Sequence, residues 1–380
     1  MDKGQEYLGI LRPLDLYFLG GERNFQFGKA KEKTEYYLQS ERLPQQSTLV
    51  GMLRFFILSQ AGLLDENEFA GNQGAREANR QQNAAQRAQR DKLIGQSGFR
   101  AAAQLAAIDY GQLYSVSPVF LLHQAGDGWH RLVRTPLNHR RGEGIKTYRP
   151  FTMQAGYHTG NAGETLLPVD YRAKDGLADS YLDVDDGQGT LYGMADIFGQ
   201  QEHTRIGRGL QEDGYFKLLY SYLQAGFAFG FYCRAEAGAL PDDAIVYLGQ
   251  DKSAFHCTLQ PTTGEGLSSL LARVGEQPGT PLAQVYVALS DLFLNLRAAD
   301  YSHFHYTILA KKTFRTLNAT GTTSDYLATR QKSSLFQLVR AGSVFYVDAE
   351  GADYLQQALK QPGLQQVGFN YAVKMGGHKE

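Results

Sequence analysis

Several groupings of side chains in this 380-residue chain are of types and spacings that could do chemistry. The densest is basic: the stretch from His130 to Arg149 carries Arg131, Arg134, Arg140, Arg141, Lys146 and Arg149 against Glu143 alone, with His139 and Tyr148 interleaved. Such a strip can follow phosphates electrostatically while guanidinium and aromatic planes stack on bases; the plainer alternative is a solvated loop whose charges repel one another. Arg205 and Arg208, set among glycines in HTRIGRG, form a second basic cluster. Gly20-Gly21 followed by Arg23, and Gly376-Gly377 preceded by Asn370 and Lys374, could offer backbone N–H groups to phosphate oxygens, or be an ordinary hairpin turn and a frayed tail.

His303 and His305 would face one side of a strand, an arrangement suited to general acid/base work on a ribose hydroxyl, or simply a polar strand face. Asp183, Asp185 and Asp186 precede Gly187, but the later ligands of a calcium loop are missing, and a solvated turn is expected. Cys233 and Cys257 form no CxxC pair, so neither a disulfide framework nor a thiolate metal site is indicated. There is no GxSxG, HExxH or Walker loop, and we expect no catalytic centre, metal or cofactor.

With 38 basic and 39 acidic residues the net charge is -1, so any polyanion must be held by a local patch and not by the field of the whole chain. The hydrophobic content of 43% excludes a wholly disordered chain. No secretory apolar segment and no run of 18 or more apolar residues occurs, which predicts a soluble cytoplasmic protein without a membrane partner.

The elements that must position these groups read as α+β. Tyr7 to Phe18 reads as a strand into the Gly20-Gly21 turn, and Ser47 to Leu63 as a helix with a Leu49, Met52, Leu53, Phe56, Ile57 stripe capped by Ser47 or Thr48. Residues 64–98, rich in Gln, Asn, Ala and Arg, read as a solvated helical insertion or loop. A strand-like run spans Tyr110 to His123, and the stretch on to about Gly209, basic first and acidic from Asp170 to Asp186, shows little periodicity. Two strands are expected within Tyr215 to Ala235 and further strands at Ala244 to Leu248, Phe304 to Leu309, Ser343 to Val347 and Gln365 to Val373. Helices are expected at Leu267 to Val274, Leu282 to Arg297 and Ala352 to Lys360. A β-rich core with helices on one face thus recurs twice, predicting two domains, 1–235 and 236–380, the first carrying insertions at about 60–105 and about 125–210.

In order, LRPLDLYFLGGERNFQFG and LPQQSTLVGMLRFFIL resemble the opening of the RAMP proteins of type III CRISPR effector complexes, most closely the crRNA 5′-handle-binding subunit of the Cmr (type III-B) complex. Pro13, Leu14, Asp15, Phe18 and Gly21 match its first block, and Pro44, Ser47, Thr48, Leu49, Gly51, Leu53 and Arg54 its second. Gln46 stands where a second proline is usual, and Leu19 where an arginine is common. TRIGRGLQEDGYF, VYLGQDKSAFHCTL and GFNYAVKMGG are similar to later blocks of the family. The resemblance implies two ferredoxin-like (RRM-type) domains, a β-hairpin thumb and no catalytic residues. The partners it implies are crRNA, the large polymerase/cyclase-like effector subunit and the backbone RAMP subunit, with target RNA met indirectly. Handle recognition would map to Gly20, Gly21, Arg23, Ser47, Thr48 and Arg54; our own reading of the basic strip makes it the thumb. Two alternatives stand beside this one: a RAMP endoribonuclease that processes precursor crRNA through His303 or His305, and the equivalent subunit of a Csm or other type III subtype.

Overall fold

Residues Gln5–Pro13 present Tyr7 and Leu11 to one side and Leu8 and Ile10 to the other, and a strand apolar on both faces belongs inside a sheet. The computed structural model places it there. It describes residues 4–20, 36–64, 88–95, 108–126, 128–140, 146–157, 164–171, 179–206, 215–249, 252–294, 302–314, 317–319, 330–332 and 335–376. The sheet runs Asp243–Leu248, Ser253–Pro261, Gln5–Pro13, Phe227–Ala235, Phe120–Ala125, Gly128–Arg134, Ser180–Asp183, Leu191–Gly193, with every neighbouring pair antiparallel; Leu113–Val116 also pairs with Phe227–Ala235. A second antiparallel sheet runs Phe304–Ile308, Val344–Val347, Gln284–Ala288, Ala372–Met375.

Among the described residues, one crossover helix serves each sheet. Gln46–Gln60 lies in sequence between Gln5–Pro13 and Phe120–Ala125, the two strands that flank Phe227–Ala235. Its predicted stripe of Leu49, Met52, Leu53, Phe56 and Ile57 is buried with Leu11, Phe229 and Phe255 of that sheet. Ala349–Leu359 likewise links Val344–Val347 to Ala372–Met375 around Gln284–Ala288, its N-cap Asp348 accepting the Gly351 amide. The fold is therefore mixed α+β, mostly antiparallel sheet, as expected. Among the described residues no helix is long and apolar enough to cross a membrane.

Several expectations shift. The helix expected over 282–297 is instead the strand Gln284–Ala288 at its start; this strand is central and buried on both faces, so its alternation is hidden behind a continuous apolar run. The last expected strand, Gln365 to Val373, is shorter and later: Gln365 closes a short helix, Pro362–Gln365, where proline suits a helix start, and the strand is Ala372–Met375. Ser117 and Pro118 divide the run after Tyr110 into Leu113–Val116 and Phe120–Ala125. The boundary drawn at 235/236 falls inside one sheet, because Asp243–Leu248 and Ser253–Pro261 pair onto Gln5–Pro13. Most of the expected insertion at about 60–105 lies outside the described residues.

The stretch 125–210 is richer in structure than its composition suggests. Gly128–Arg134, Ser180–Asp183 and Leu191–Gly193 extend the large sheet, and Met153–Tyr157 pairs with Glu164–Pro168. The long hairpin lies later, Phe198–Ile206 against Tyr215–Leu223, with Tyr36–Gln39 parallel on its outer strand. Aromatic and aliphatic residues of both main sheets, among them Ile10, Phe120, Leu122, Val285, Val287, Val344 and Tyr346, share one apolar cluster.

Candidate nucleic-acid interface

The basic strip does not stay free. Gly128–Arg134 pairs with Ser180–Asp183, which brings the acidic stretch alongside it. Arg131 donates from Nε to Asp185 at 2.8 Å and from Nη2 at 2.5 Å, and its amide donates to the same carboxylate. Burial alone would raise the Asp185 carboxyl, but the Arg131 hydrogen bonds hold it below its usual range. His130 meets Asp183 at 3.0 Å, Arg134 binds Asp179, and Arg140 binds Asp170. His139 is 3% exposed, its Nδ1–H donating to the Pro136 carbonyl, and burial keeps its imidazole below its ordinary value. Lys146 and Arg149 are exposed, and Arg141 lies outside the described residues.

The other predicted positions separate similarly. Gly20 is exposed, while Gly21, Arg23, Arg208 and Gly377 lie outside the described residues, as does the side chain of Arg205 in its strand. The helix starts at Gln46 with Gln45 as N-cap and no side-chain cap, so Ser47 and Thr48 sit half-buried in its first turn. Arg54 turns inward, donating to the Gly95 carbonyl at 3.2 Å with its guanidinium 5.8 Å from the Tyr110 ring centroid. Asn370 is buried at φ 60° and accepts the Phe293 amide. Lys374 is exposed on an edge strand; the Gly376 amide is already given to the Gly275 and Gln277 carbonyls.

His303 stands 3.3 Å from both Asp348 and Glu350, just before its strand, and a bulge between Phe304 and Tyr306 breaks the alternation that would align it with His305. Asp183 and Asp186 accept the amides of the 185–190 turn. Cys233 and Cys257 are free and buried; burial pushes the Cys257 thiol up to about 12.

What the chain does bring together is a cleft of about 470 Å³ between the two sheets. Its walls come from residues 39–46 ahead of the first crossover helix, the strand ends at Arg134 and Tyr181, and the segments around Asp291, Lys312 and Arg340. Five cations, Arg42, Arg134, Lys311, Lys312 and Arg340, line it against the three carboxylates Glu41, Asp179 and Asp291. Lys312 and Asp291 make a pair at 3.0 Å, and that charge raises the lysine's pKa. Arg42, Arg134 and Arg340 all converge on Asp179, Arg42 at 3.8 Å and Arg340 at 3.5 Å. Burial and the like charge of Arg134 hold the Arg340 guanidinium below its usual value, though it stays protonated.

Among the described residues, three donors in this cleft have no acceptor. Arg42 Nε, Arg340 Nε and the hydroxyl of Tyr181 are buried without a hydrogen-bond partner, and Tyr181 is only 2% exposed. A buried donor left unmade costs on the order of 1–3 kcal/mol, so an acceptor entering this cleft would be favoured by these groups. Of these groups the sequence singled out Arg134 alone. Arg42 sits beside a quoted motif and Asp179 inside the acidic stretch, but their convergence with Arg340 spans most of the chain and has no local signature.

No family model matches this chain, and no curated protein matches it either. Among solved structures, it is similar to a chain of the cryo-EM structure of the Type III-B Cmr-beta bound to cognate target RNA and AMPPnP. The identity is 9%, with 95% of this chain and 94% of that one covered at a TM-score of 0.42. A likeness this loose assigns no role, and the reading below rests on this chain's own residues.

Proposed function

We propose that this chain is a non-catalytic RNA-binding subunit of a type III CRISPR effector, of the RAMP kind and closest to the Cmr 5′-handle subunit. It would hold crRNA in the cytoplasm beside the large polymerase/cyclase-like subunit and the repeating backbone RAMP subunit, meeting target RNA only through the guide. The observation that carries the reading is the cleft: among the described residues, three guanidiniums share one carboxylate while three buried donors lack acceptors. In a chain of net charge -1, such a local surplus is what a phosphate backbone requires.

The strand orders support the fold half of the proposal. Taking Gln5–Pro13, Phe120–Ala125, Phe227–Ala235 and Ser253–Pro261 as strands one to four, the large sheet contains the order 4-1-3-2, all antiparallel. Gln284–Ala288, Phe304–Ile308, Val344–Val347 and Ala372–Met375 repeat it. That order is the ferredoxin-like, RRM-type arrangement. The motif resemblance of residues 11–58 supplies the family, and we place the thumb at the Phe198–Ile206 and Tyr215–Leu223 hairpin.

Fluorescence anisotropy with a labelled single-stranded RNA tests the site. Arg42→Gln and Arg340→Gln are each expected to weaken binding and to flatten the slope of log affinity against log salt by about 1, with melting temperature checked alongside. Equal affinity and slope in well-folded variants would remove the cleft from the RNA path. Precursor RNA incubated with the chain is expected to stay intact; site-specific cleavage lost in His303→Ala would replace this reading with the endoribonuclease.

A further inference from the structure

Several aspartates of this fold are pinned by main-chain amides. Asp183, Asp185, Asp186, Asp291 and Asp348 each accept at least one backbone N–H in addition to any ion pair. Among the described residues, the Asp179 carboxylate has arginines for partners and nothing else. It is also the most exposed member of its cluster, 42% against 15% for Arg134 and 29% for Arg340. The guanidiniums are thus fixed in the wall, and the carboxylate reaches them from the solvent side.

A planar carboxylate offers two oxygens, which three guanidinium forks oversubscribe. That oversubscription leaves Arg42 Nε and Arg340 Nε unmet, with the Tyr181 hydroxyl beside them. A tetrahedral phosphate presents its oxygens in more directions, each accepting more than one hydrogen bond, and matches arginine forks at least as well as a carboxylate does.

We infer that Asp179 is a placeholder: its carboxylate occupies the position of one backbone phosphate of the bound RNA and swings out when that phosphate arrives. This rests on the RNA-binding reading above. The carboxylate neutralises the cluster while the cleft is empty and competes with the ligand, so the apparent affinity is lowered by the fraction of chains in which it is in place. Removing the competitor therefore strengthens binding, the reverse of what loss of an ordinary structural ion pair does.

The test is Asp179→Asn. Its RNA affinity by anisotropy is expected to rise about tenfold over the unsubstituted chain. Inorganic phosphate is expected to raise its melting temperature more than it raises that of the unsubstituted chain. If the unsubstituted chain binds RNA and Asp179→Asn binds equally or more weakly, the placeholder is overturned and the RNA reading stands. If neither binds RNA but phosphate stabilises Asp179→Asn selectively, the cluster takes free phosphate or a nucleotide, and both the RNA reading and this assignment fall. Should Asp179→Asn be unfolded in phosphate-free buffer, refolding on addition of phosphate supports the placeholder and failure to refold overturns it.

Discussion

Gln46 is one of two off-pattern residues in the opening block, Leu19 being the other, and its side chain is committed to the fold. Its Nε2 donates to the Ser117 carbonyl at 2.8 Å and to the Gly368 carbonyl at 3.2 Å, tying a loop of the first sheet to the segment that leads into the last strand of the second. A proline there could not do this. Gly368 answers it: its φ is +86°, and a Cβ would lie 1.8 Å from Gln46 Nε2 and 2.6 Å from the Ser117 oxygen. Gly368→Ala is expected to cost about 2–4 kcal/mol in denaturant titration, by strain and overpacking together. A loss within error would mean that the clasp is not under the constraint described. Two histidines contribute to the first loss of stability on the acid side. Burial lowers the pKa of both His123 and His139, so below about pH 6.5 the unfolded chain takes up protons that the fold refuses. Stability is full above that unfolded value and declines as pH falls through it. Melting temperature should drop between about pH 7.5 and about pH 5.5, and drop less in His139→Asn; a parallel drop in that variant would clear His139.

At the scale of elements, the sequence made the helices and most strands legible because their signals are local: the Leu49-to-Ile57 stripe and the two strands around Gln224 to Gly226 fall where the pattern puts them. The buried strand Gln284–Ala288 was not legible, since a strand covered on both faces loses its alternation. The pairing of the basic strip was not legible for a different reason. Its positive charge is real, but Ser180–Asp183 lies antiparallel to Gly128–Arg134, and the carboxylates of Asp179, Asp183 and Asp185 meet Arg134, His130 and Arg131 across that pairing. Charge read along the chain cannot reveal a partner roughly fifty residues away. The site was opaque in the same way, because only the sheet packing brings Arg42, Arg134 and Arg340 to one carboxylate. The consequence can be measured at Arg131. Arg131→Gln strands the half-buried Asp185 and is expected to cost about 3 kcal/mol of stability while leaving RNA affinity unchanged. A large affinity loss at unchanged stability would return Arg131 to the RNA surface.

At the scale of the whole molecule, the cleft depends on how firmly the two sheets are joined, since Arg134 ends a strand of the first while Arg340 sits on the segment leading into Val344–Val347 of the second. Linked domains move relative to one another by default unless the interface between them is extensive and apolar. Here it is: Ile10, Phe120, Leu122 and Leu182 of the large sheet pack in one cluster with Val285, Val287, Val344 and Tyr346 of the second, and with Leu270 and Val274 of the helix Gly266–Gly275. Polar clasps add to this. Asn138 Nδ2 donates to the Tyr346 hydroxyl while its Oδ1 accepts from Tyr148, both at 2.8 Å, and the Leu137 amide donates to the Gly342 carbonyl at 2.8 Å. Two sheets that share a core unfold together, so calorimetry is expected to give one transition whose van't Hoff and calorimetric enthalpies agree. The stronger form of the prediction concerns a fragment. A chain cut after residue 264 keeps every strand of the large sheet but bares the Ile10, Phe120 and Leu122 face, and it is expected to aggregate or bind hydrophobic dye where the full chain does neither. A soluble, cooperatively folded fragment would show that the sheets are separable units. The arginine cleft would then be a hinge between two bodies, and RNA would have to order it on binding.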